Sequence, residues 1–367
     1  MRRVLVTGGA GFIGSHLCAA LLAMGCDVMS FDALIPQVHP QRPNWPDYQP
    51  DHERLMKYCG DVRVGPNVVL HALENFQPDT VIHLAAYVGV GQSATHPAGY
   101  TSCNVTGTMA LLEYILQYNA QTDKVHQVQQ VFVAGSMSSY GEGSIDYYGD
   151  EPTPTGEEHP LTPTSIYAWT KAQAEIGAIM LGKMRGLDVK VGRFFNCYGP
   201  HQALTNPYTG VGAIFAARIM AGLPPIIYED GSQSRDFIHV SDIVSGIIAI
   251  VQHGTPFQPY NIGTGTATSV LQLANAIAVE IAVQTDTDPI PPMVTGLVRA
   301  GDIRHCYADV SLIKRLGWDP KVKLEDGIRD LISWVKDQPA EQKQELLDRA
   351  HNELIKMGLL IPQEEAV

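Results

Sequence analysis

No Cys-x-x-Cys pair occurs in the chain, and its six cysteines (Cys18, Cys26, Cys59, Cys103, Cys197 and Cys306) are scattered. That spacing offers neither a disulfide framework nor a thiolate metal site, so buried free thiols are expected. The 13 histidines include no His-Glu-x-x-His or comparable spacing, and no metal is expected. No apolar run approaches the ~20 residues that span a bilayer, which leaves no membrane partner. The N-terminus reads as a core strand rather than a signal peptide, pointing to a cytoplasmic protein. Positive charge is scarce: 25 Lys and Arg stand against 38 Asp and Glu, a formal net charge of −13 at pH 7. This balance argues against nucleic acid or an anionic membrane as the main partner. An anionic ligand must therefore meet local positive charge, which makes individual arginines informative. No internal repeat is found.

What is present fits a globular enzyme. At 367 residues, 45% hydrophobic and 17% charged, the chain has room for a large core and two lobes. Strands read at 3–7, 27–32, 55–59, 80–85, 130–134 and 188–193, alternating with helices at 12–24, 67–76, 104–118 and 165–184. Such alternation implies an α/β fold with a parallel sheet covered on both faces. The segment from Pro36 to Asp51 is a proline-rich loop, and a second loop from Ser144 to Pro163 is expected to act as a flap over the site. After Asn196 the pattern becomes irregular, as in a smaller lobe, with a return to the first lobe around 236–249 and 260–263. In the tail, Leu346, Ala350, Leu354 and Met357 fall on one helical face, suited either to their own subunit or to an oligomer contact.

The first strand runs into Gly8, Gly11 and Gly14, and a helical pattern follows from Phe12 and Ile13. A tight turn there passes beneath a pyrophosphate while the helix N-terminus directs its free N–H groups at the charge. Asp32 closes the next apolar strand eighteen residues after Gly14, where an adenosine ribose would offer its hydroxyls. Its carboxylate repels a 2′-phosphate, and Ala33-Leu34-Ile35 supplies no arginine to accept one. NAD is therefore expected rather than NADP, on a Rossmann-type doubly wound sheet. The cofactor domain is expected over residues 1–193 plus about 236–263. A discontinuous substrate lobe is expected over 194–235 and 264–336, with a helical tail at 339–367.

Tyr167 and Lys171 stand four residues apart in a helical pattern, which puts both on one helix face. An ammonium near a phenol favours the phenolate, and a nicotinamide cation would add to that effect. The pair can then act as a general base toward a hydroxyl whose carbon loses hydride. The strand ending at Ser136 would deliver a third group at the carboxyl edge of the sheet, with Ser138 and Ser139 as alternatives from the same turn.

Six ordered motifs together resemble the extended short-chain dehydrogenase/reductase family. They are Thr7-Gly8-Gly9-Ala10-Gly11-Phe12-Ile13-Gly14, the serines before Tyr140-Gly141, Tyr167 with Lys171, Arg193 to Pro200, Ser234 to Asp242, and Tyr260 to Gly263. The resemblance covers residues 1 to about 336 and is closest to the nucleotide-sugar epimerase and dehydratase branch. It implies transient oxidation of a sugar carbon with bound NAD, turning over of the keto sugar, and reduction on the other face. It further implies adenine contacts from Asp61 and Val62 and ribose contacts from Leu84, Ala85 and Ala86, with Tyr167 and Lys171 also touching the cofactor. Asn196, Arg235, Arg299 and Asp302 are implied to hold the substrate's nucleotide diphosphate. A forked guanidinium suits a pyrophosphate, and an acidic protein needs such a clamp. A homodimer is expected.

The 4,6-dehydratase relatives carry Thr-Asp-Glu before Val-Tyr-Gly, whereas this chain reads Ser136-Met137-Ser138-Ser139-Tyr140-Gly141. With neither carboxylate present, water elimination lacks its acid and base. Ser136 and Ser138 are instead expected to touch substrate, beside Val88 and Cys306. An apolar Val88 and a small Cys306 make the expected pocket roomy and less polar. This pattern looks most like dTDP-L-rhamnose 4-epimerase-type enzymes and suits an NDP-6-deoxyhexose. A UDP-glucose or UDP-N-acetylglucosamine type 4-epimerase, another NDP-sugar oxidoreductase, and a silent NAD-sensing relative remain as alternatives.

Overall fold

Val4, Leu5 and Val6 of strand β1 (Arg3–Thr7) are buried on both faces, as a central parallel strand requires. The computed structural model describes residues 1–36, 38–39, 45–49, 51–146, 149, 151–202, 210–299, 301–338, 356, 358 and 360–362. After β1 come α1 (Phe12–Ala23), β2 (Asp27–Asp32), β3 (Leu55–Cys59), α2 (Pro66–Phe76) and β4 (Thr80–His83). Two short helices, α3 (Val90–Thr95) and α4 (Pro97–Tyr100), lead through a π-helical turn (Thr101–Thr106) into α5 (Gly107–Gln121). Then follow β5 (Gln130–Ser136), α6 (Ile166–Arg185) and β6 (Asp188–Phe194). The second half contains β7 (Asn196–Tyr198), α7 (Val211–Met220), β8 (Ile226–Ile227), β9 (Ser234–Arg235), β10 (Phe237–His239), α8 (Val240–His253) and β11 (Pro259–Ile262). It ends with β12 (Thr268–Ser269), α9 (Val270–Thr285), β13 (Met293–Val294), β14 (Leu297–Arg299), β15 (His305–Cys306), α10 (Ser311–Lys314), α11 (Leu324–Lys336) and β16 (Leu360–Pro362).

Seven strands form one parallel sheet in the order β11-β6-β5-β4-β1-β2-β3. The expected doubly wound Rossmann-type fold is the one observed. One face is covered by α1 and α8, whose Leu17, Leu21, Ile243 and Ile247 share a core with Val4 and Val6. The other face carries α2, α5 and α6, through Leu73, Phe76, Leu111, Ile115 and Ala178. The strand order reverses between β1 and its neighbours β2 and β4, and such a switch point opens a crevice at the carboxyl edge. A separate core joins α7, α9 and α11 through Phe215, Ile277, Ile281, Leu331 and Val335.

Local differences from the sequence reading have physical causes. The helix expected from Asn104 opens as the π turn, because the Asn104 side chain accepts from Tyr87 N at 2.8 Å and donates to Tyr87 O and Thr170. Strand β5 runs two residues beyond expectation, to Ser136, because Gly135 and Ser136 stay paired with Arg193 and Phe194. Among its described residues, the loop from Ser144 to Pro163 does not line the cavity, and it is tied down rather than free to act as the expected flap. Thr155 is buried, its N–H donates to Tyr307 O at 2.8 Å, and its carbonyl accepts from Asp309 N at 2.9 Å, stitching the loop to a distant segment. The tail residues Leu346, Ala350, Leu354 and Met357 lie outside the described residues. Beyond them β16 pairs antiparallel with β14, Leu360 opposite Arg299. No helix among the described residues is long and apolar enough to cross a membrane, and the six cysteines are free.

Candidate active site

The carboxyl edge of the sheet opens into a cavity of about 560 Å³, within the usual size range of ligand pockets. Every sequence-predicted site residue lines it except Cys306 and the alternative Ser139, which is fully buried. Along the edge, Asp61 and Val62 follow β3, Asp32 ends β2 and the glycine turn follows β1. Leu84, Ala85, Ala86 and Val88 follow β4, Ser136 ends β5, and Asn196 follows β6.

The glycine turn is dictated by sterics. Gly8 has φ +70°, and a Cβ there would stand 2.8 Å from Ala85 N, while one on Gly14 would stand 2.1 Å from Gly8 O. Gly11 is different: its Cβ would meet only Gly8 O, at 3.3 Å, and otherwise open space. The protein's own packing therefore leaves room at Gly11, as a backbone approached by a ligand requires. Helix α1 has no side-chain cap and no acidic residue in its first turn, so its leading N–H groups remain for an anion. Asp32 is held in the wall by Ala10 N (3.1 Å to Oδ2) and Leu34 N (2.8 Å to Oδ1). Burial pushes its carboxyl up, against these donors and His39, whose Nε2 lies 3.8 Å away. These features fit a dinucleotide with an unphosphorylated ribose. Asp61 is gripped by Arg63, whose Nε donates at 2.9 and 3.0 Å and whose Nη2 donates at 2.6 Å.

Helix α6 places Tyr167 and Lys171 one turn apart, beside the end of β5. Its N-terminus is fixed by Ser165, whose Oγ accepts from Ala168 N at 3.2 Å. Ser136 Oγ lies 2.8 Å from Ser138 Oγ and accepts from Ser138 N at 3.2 Å. Lys171 is buried and donates from Nζ to the Ala134 carbonyl. Burial lowers its ammonium to about 8, opposed by Cys103 and by Glu175. Burial also raises the Tyr167 phenol, with Ser136 opposing. That desolvation works against the phenolate, and a positive charge bound in the cavity would offset it. Glu175 is bound in turn by Arg193, Nη2 to Oε1 at 2.5 Å, in a buried pair behind β5.

The far part of the wall holds the arginines. Arg235 donates from Nη1 to Ser234 O and Arg304 O, both at 2.9 Å, and from Nη2 to Ile303 O. These three acceptors are neutral carbonyls, and burial lowers its guanidinium. Arg299 instead grips Asp302 with two bonds, at 2.9 and 2.7 Å. Asn196 Oδ1 is buried with no hydrogen-bond partner in the described structure.

Cys306 requires a correction. Paired with Arg235 across β15 and β9, it is 1% exposed, and its thiol lies 3.9 Å from Thr155 Oγ1. The stitched 144–163 loop covers it, so it stands behind the wall and Ile303 faces the cavity. Burial raises its thiol to about 12. Sequence reasoning missed His39, Arg63, Arg218, Tyr228, Gln202 and Gln233, all of which line the cavity. Gln233 sat one residue outside the motif read from Ser234, Arg63 directly follows the Asp61-Val62 pair, Arg218 lies on α7, and the others lie in segments without periodicity.

Comparison with known proteins places this geometry in context. The sequence profile described as GDP-mannose 4,6 dehydratase matches residues 5–331. The chain is 33% identical to a dTDP-L-rhamnose 4-epimerase of Burkholderia thailandensis, covering 91% of this chain and 95% of that protein. It is 32% identical to a UDP-glucose 4-epimerase of Mycolicibacterium smegmatis, covering 92% and 99%. Among solved structures, the Thermus thermophilus UDP-glucose 4-epimerase in complex with NAD is similar at a TM-score of 0.76 and 30% identity, covering 92% of this chain and all of that one. A UDP-N-acetylglucosamine 4-epimerase from Methanobrevibacter ruminantium, in complex with UDP-N-acetylmuramic acid, is similar at 0.77 and 28%, covering 92% and 99%. The match spans the glycine turn, the serine–tyrosine–lysine cluster and the arginine wall, and the chain belongs to the GDP-mannose 4,6 dehydratase family of extended short-chain dehydrogenase/reductases.

Proposed function

We propose that the protein is an NAD-dependent nucleotide-diphosphate-sugar 4-epimerase that acts by transient oxidation at C4. One observation carries this reading: a single cavity joins the dinucleotide cradle at Gly11 and Asp32, the Ser136–Tyr167–Lys171 cluster, and Arg235 with only neutral partners. The related 4-epimerases, including one solved with NAD, support it. Residues 1–193 with about 236–263 would hold the cofactor, and 194–235 with 264–336 the nucleotide sugar. Gly8, Gly11, Phe12, Ile13 and Gly14 would cradle the pyrophosphate, Asp32 and Leu84 to Ala86 the riboses, and Asp61 and Val62 the adenine.

Bound NAD would supply a two-electron acceptor at the sugar carbon and a positive ring beside Tyr167. In this reading Tyr167 takes the C4 hydroxyl proton and later returns it. Ser136 donates to the reacting oxygen, and Lys171 steadies the phenolate. Ser138 holds Ser136 in place. Arg235 and Arg299 hold the diphosphate with Asn196 and Asp302, which anchors the nucleotide while the keto sugar turns. Met137 and Ser138 stand where the dehydratase pattern has Asp and Glu, so elimination of water has no acid or base in this wall.

The proposed substrate class is an NDP-6-deoxyhexose such as dTDP-L-rhamnose, supported by apolar Val88 in the wall and by the Burkholderia relative. A UDP-glucose or UDP-N-acetylglucosamine type epimerase is the second reading, favoured by the Mycolicibacterium relative. Incubation with a panel of dTDP- and UDP-sugars, read by NMR for the 4-epimer, tests both. Conversion of none of them would contradict the proposal.

A cytoplasmic homodimer is also proposed. The free cysteines suit a reducing compartment. Ile166, Trp169, Ile176, Met180 and Met184 form an exposed apolar stripe along α6, suited to a second copy of the chain. A monomeric mass in solution would contradict the dimer.

A further inference from the structure

We propose that Gln233 reads the nucleoside of the substrate, its side-chain carbonyl accepting a hydrogen bond from a donor on the pentose or the base. The inference rests on the nucleotide-sugar reading and assigns a contact that neither the motifs nor the cofactor geometry supplies.

Gln233 is 6% exposed and lines the cavity together with Tyr228, Arg218 and Arg235. Its amide nitrogen donates to the Tyr228 carbonyl at 2.9 Å. Its amide oxygen is buried with no hydrogen-bond partner in the described structure. The Tyr228 carbonyl decides which end is which, because a reversed amide would set oxygen against oxygen. An acceptor is therefore what the side chain has left to offer. A buried carbonyl without a partner costs free energy, and a ligand that donates to it removes that cost.

The position of Gln233 fits a nucleoside. Alternation along an extended segment sends Gln233 and Arg235 to one face and Ser234 to the other. Ser234 Oγ indeed lies 2.8 Å from His305 Nδ1, away from the cavity wall. Two extended residues span roughly 7 Å, so the Gln233 oxygen stands about one pentose beyond a diphosphate held at Arg235. The backbone is fixed as well, since Val270 N donates to Gln233 O at 3.0 Å. Two donors of a pyrimidine nucleoside qualify: a pentose hydroxyl, or the imide N–H of uracil or thymine.

The test is calorimetric titration of the NAD-loaded protein with UDP, 2′,3′-dideoxy-UDP and N3-methyl-UDP, on wild type, Gln233→Leu and Gln233→Met. Wild type should lose about tenfold in affinity for the one analogue lacking the donor, the weight of a hydrogen bond to a buried acceptor. That analogue identifies the source. Gln233→Leu should bind UDP about tenfold more weakly and no longer distinguish that analogue. Gln233→Met keeps the length without an acceptor, so it should lose the discrimination as the leucine variant does, and it carries the test if that variant fails to retain NAD. Equal binding of all three ligands by wild type, or undiminished discrimination by Gln233→Leu, would overturn the inference. Failure of wild type to bind any nucleoside diphosphate would instead overturn the proposed function, and is visible before any variant is made.

Discussion

Arg299 and Asp302 close a two-bond ion pair in the cavity wall, Nε donating to Oδ2 at 2.9 Å and Nη2 to Oδ1 at 2.7 Å. Asp302 is the largest influence raising Arg299, ahead of the opposing effect of burial. The two proposed diphosphate residues are thus one unit of no net charge, while Arg235 donates to backbone carbonyls and keeps its charge for an anion.

That relationship makes the variants non-additive. Arg299→Ala strands the Asp302 carboxylate in the wall facing a diphosphate, and KM should rise at least about tenfold with kcat little changed. The double variant Arg299→Ala/Asp302→Ala should recover part of that loss, because the stranded charge is gone. Arg235→Ala should raise KM by a similar factor without any such rescue. Initial-rate kinetics decide it, and simple addition of the two single costs would contradict the coupling.

The catalytic cluster predicts a pH signature. Lys171 loses its proton at about 8 in the structure, so its charge is present below that pH and lost above it. kcat/KM should therefore fall on the alkaline side at about pH 8 or below, once a bound nicotinamide ring adds its own positive charge. Lys171→Arg should lose that alkaline limb, since a guanidinium does not titrate there. Tyr167→Phe should lower kcat by about 10²–10⁴-fold with NAD content retained. An unchanged limb in Lys171→Arg would show that another group titrates.

The parts legible in the sequence are those governed by local rules. Gly8 and Gly14 are required by contacts within a few residues or at the adjacent strand end, and Asp32 by its place at the end of β2. Tyr167 and Lys171 needed only helical spacing, and Ser136 only the end of an apolar strand. Cys306 was misplaced because two-residue β15 has no periodicity of its own, and its facing is set by pairing with β9 and by Thr155. The flap failed for the same reason, as the partners of Thr155 lie at Tyr307 and Asp309. Gln233 was invisible because only the Tyr228 carbonyl reveals which end of its amide is free.

The most direct measurement follows the hydrogen on C4. Purified protein should be incubated with dTDP-L-rhamnose, and in parallel UDP-glucose and UDP-N-acetylglucosamine, each deuterated at C4, and the products examined by NMR. Oxidation and reduction at one carbon by one tightly held cofactor predict a 4-epimer that keeps its deuterium, formed without added NAD and abolished in Tyr167→Phe. Loss of the deuterium to solvent, or no epimer from any of the three sugars, would contradict the account.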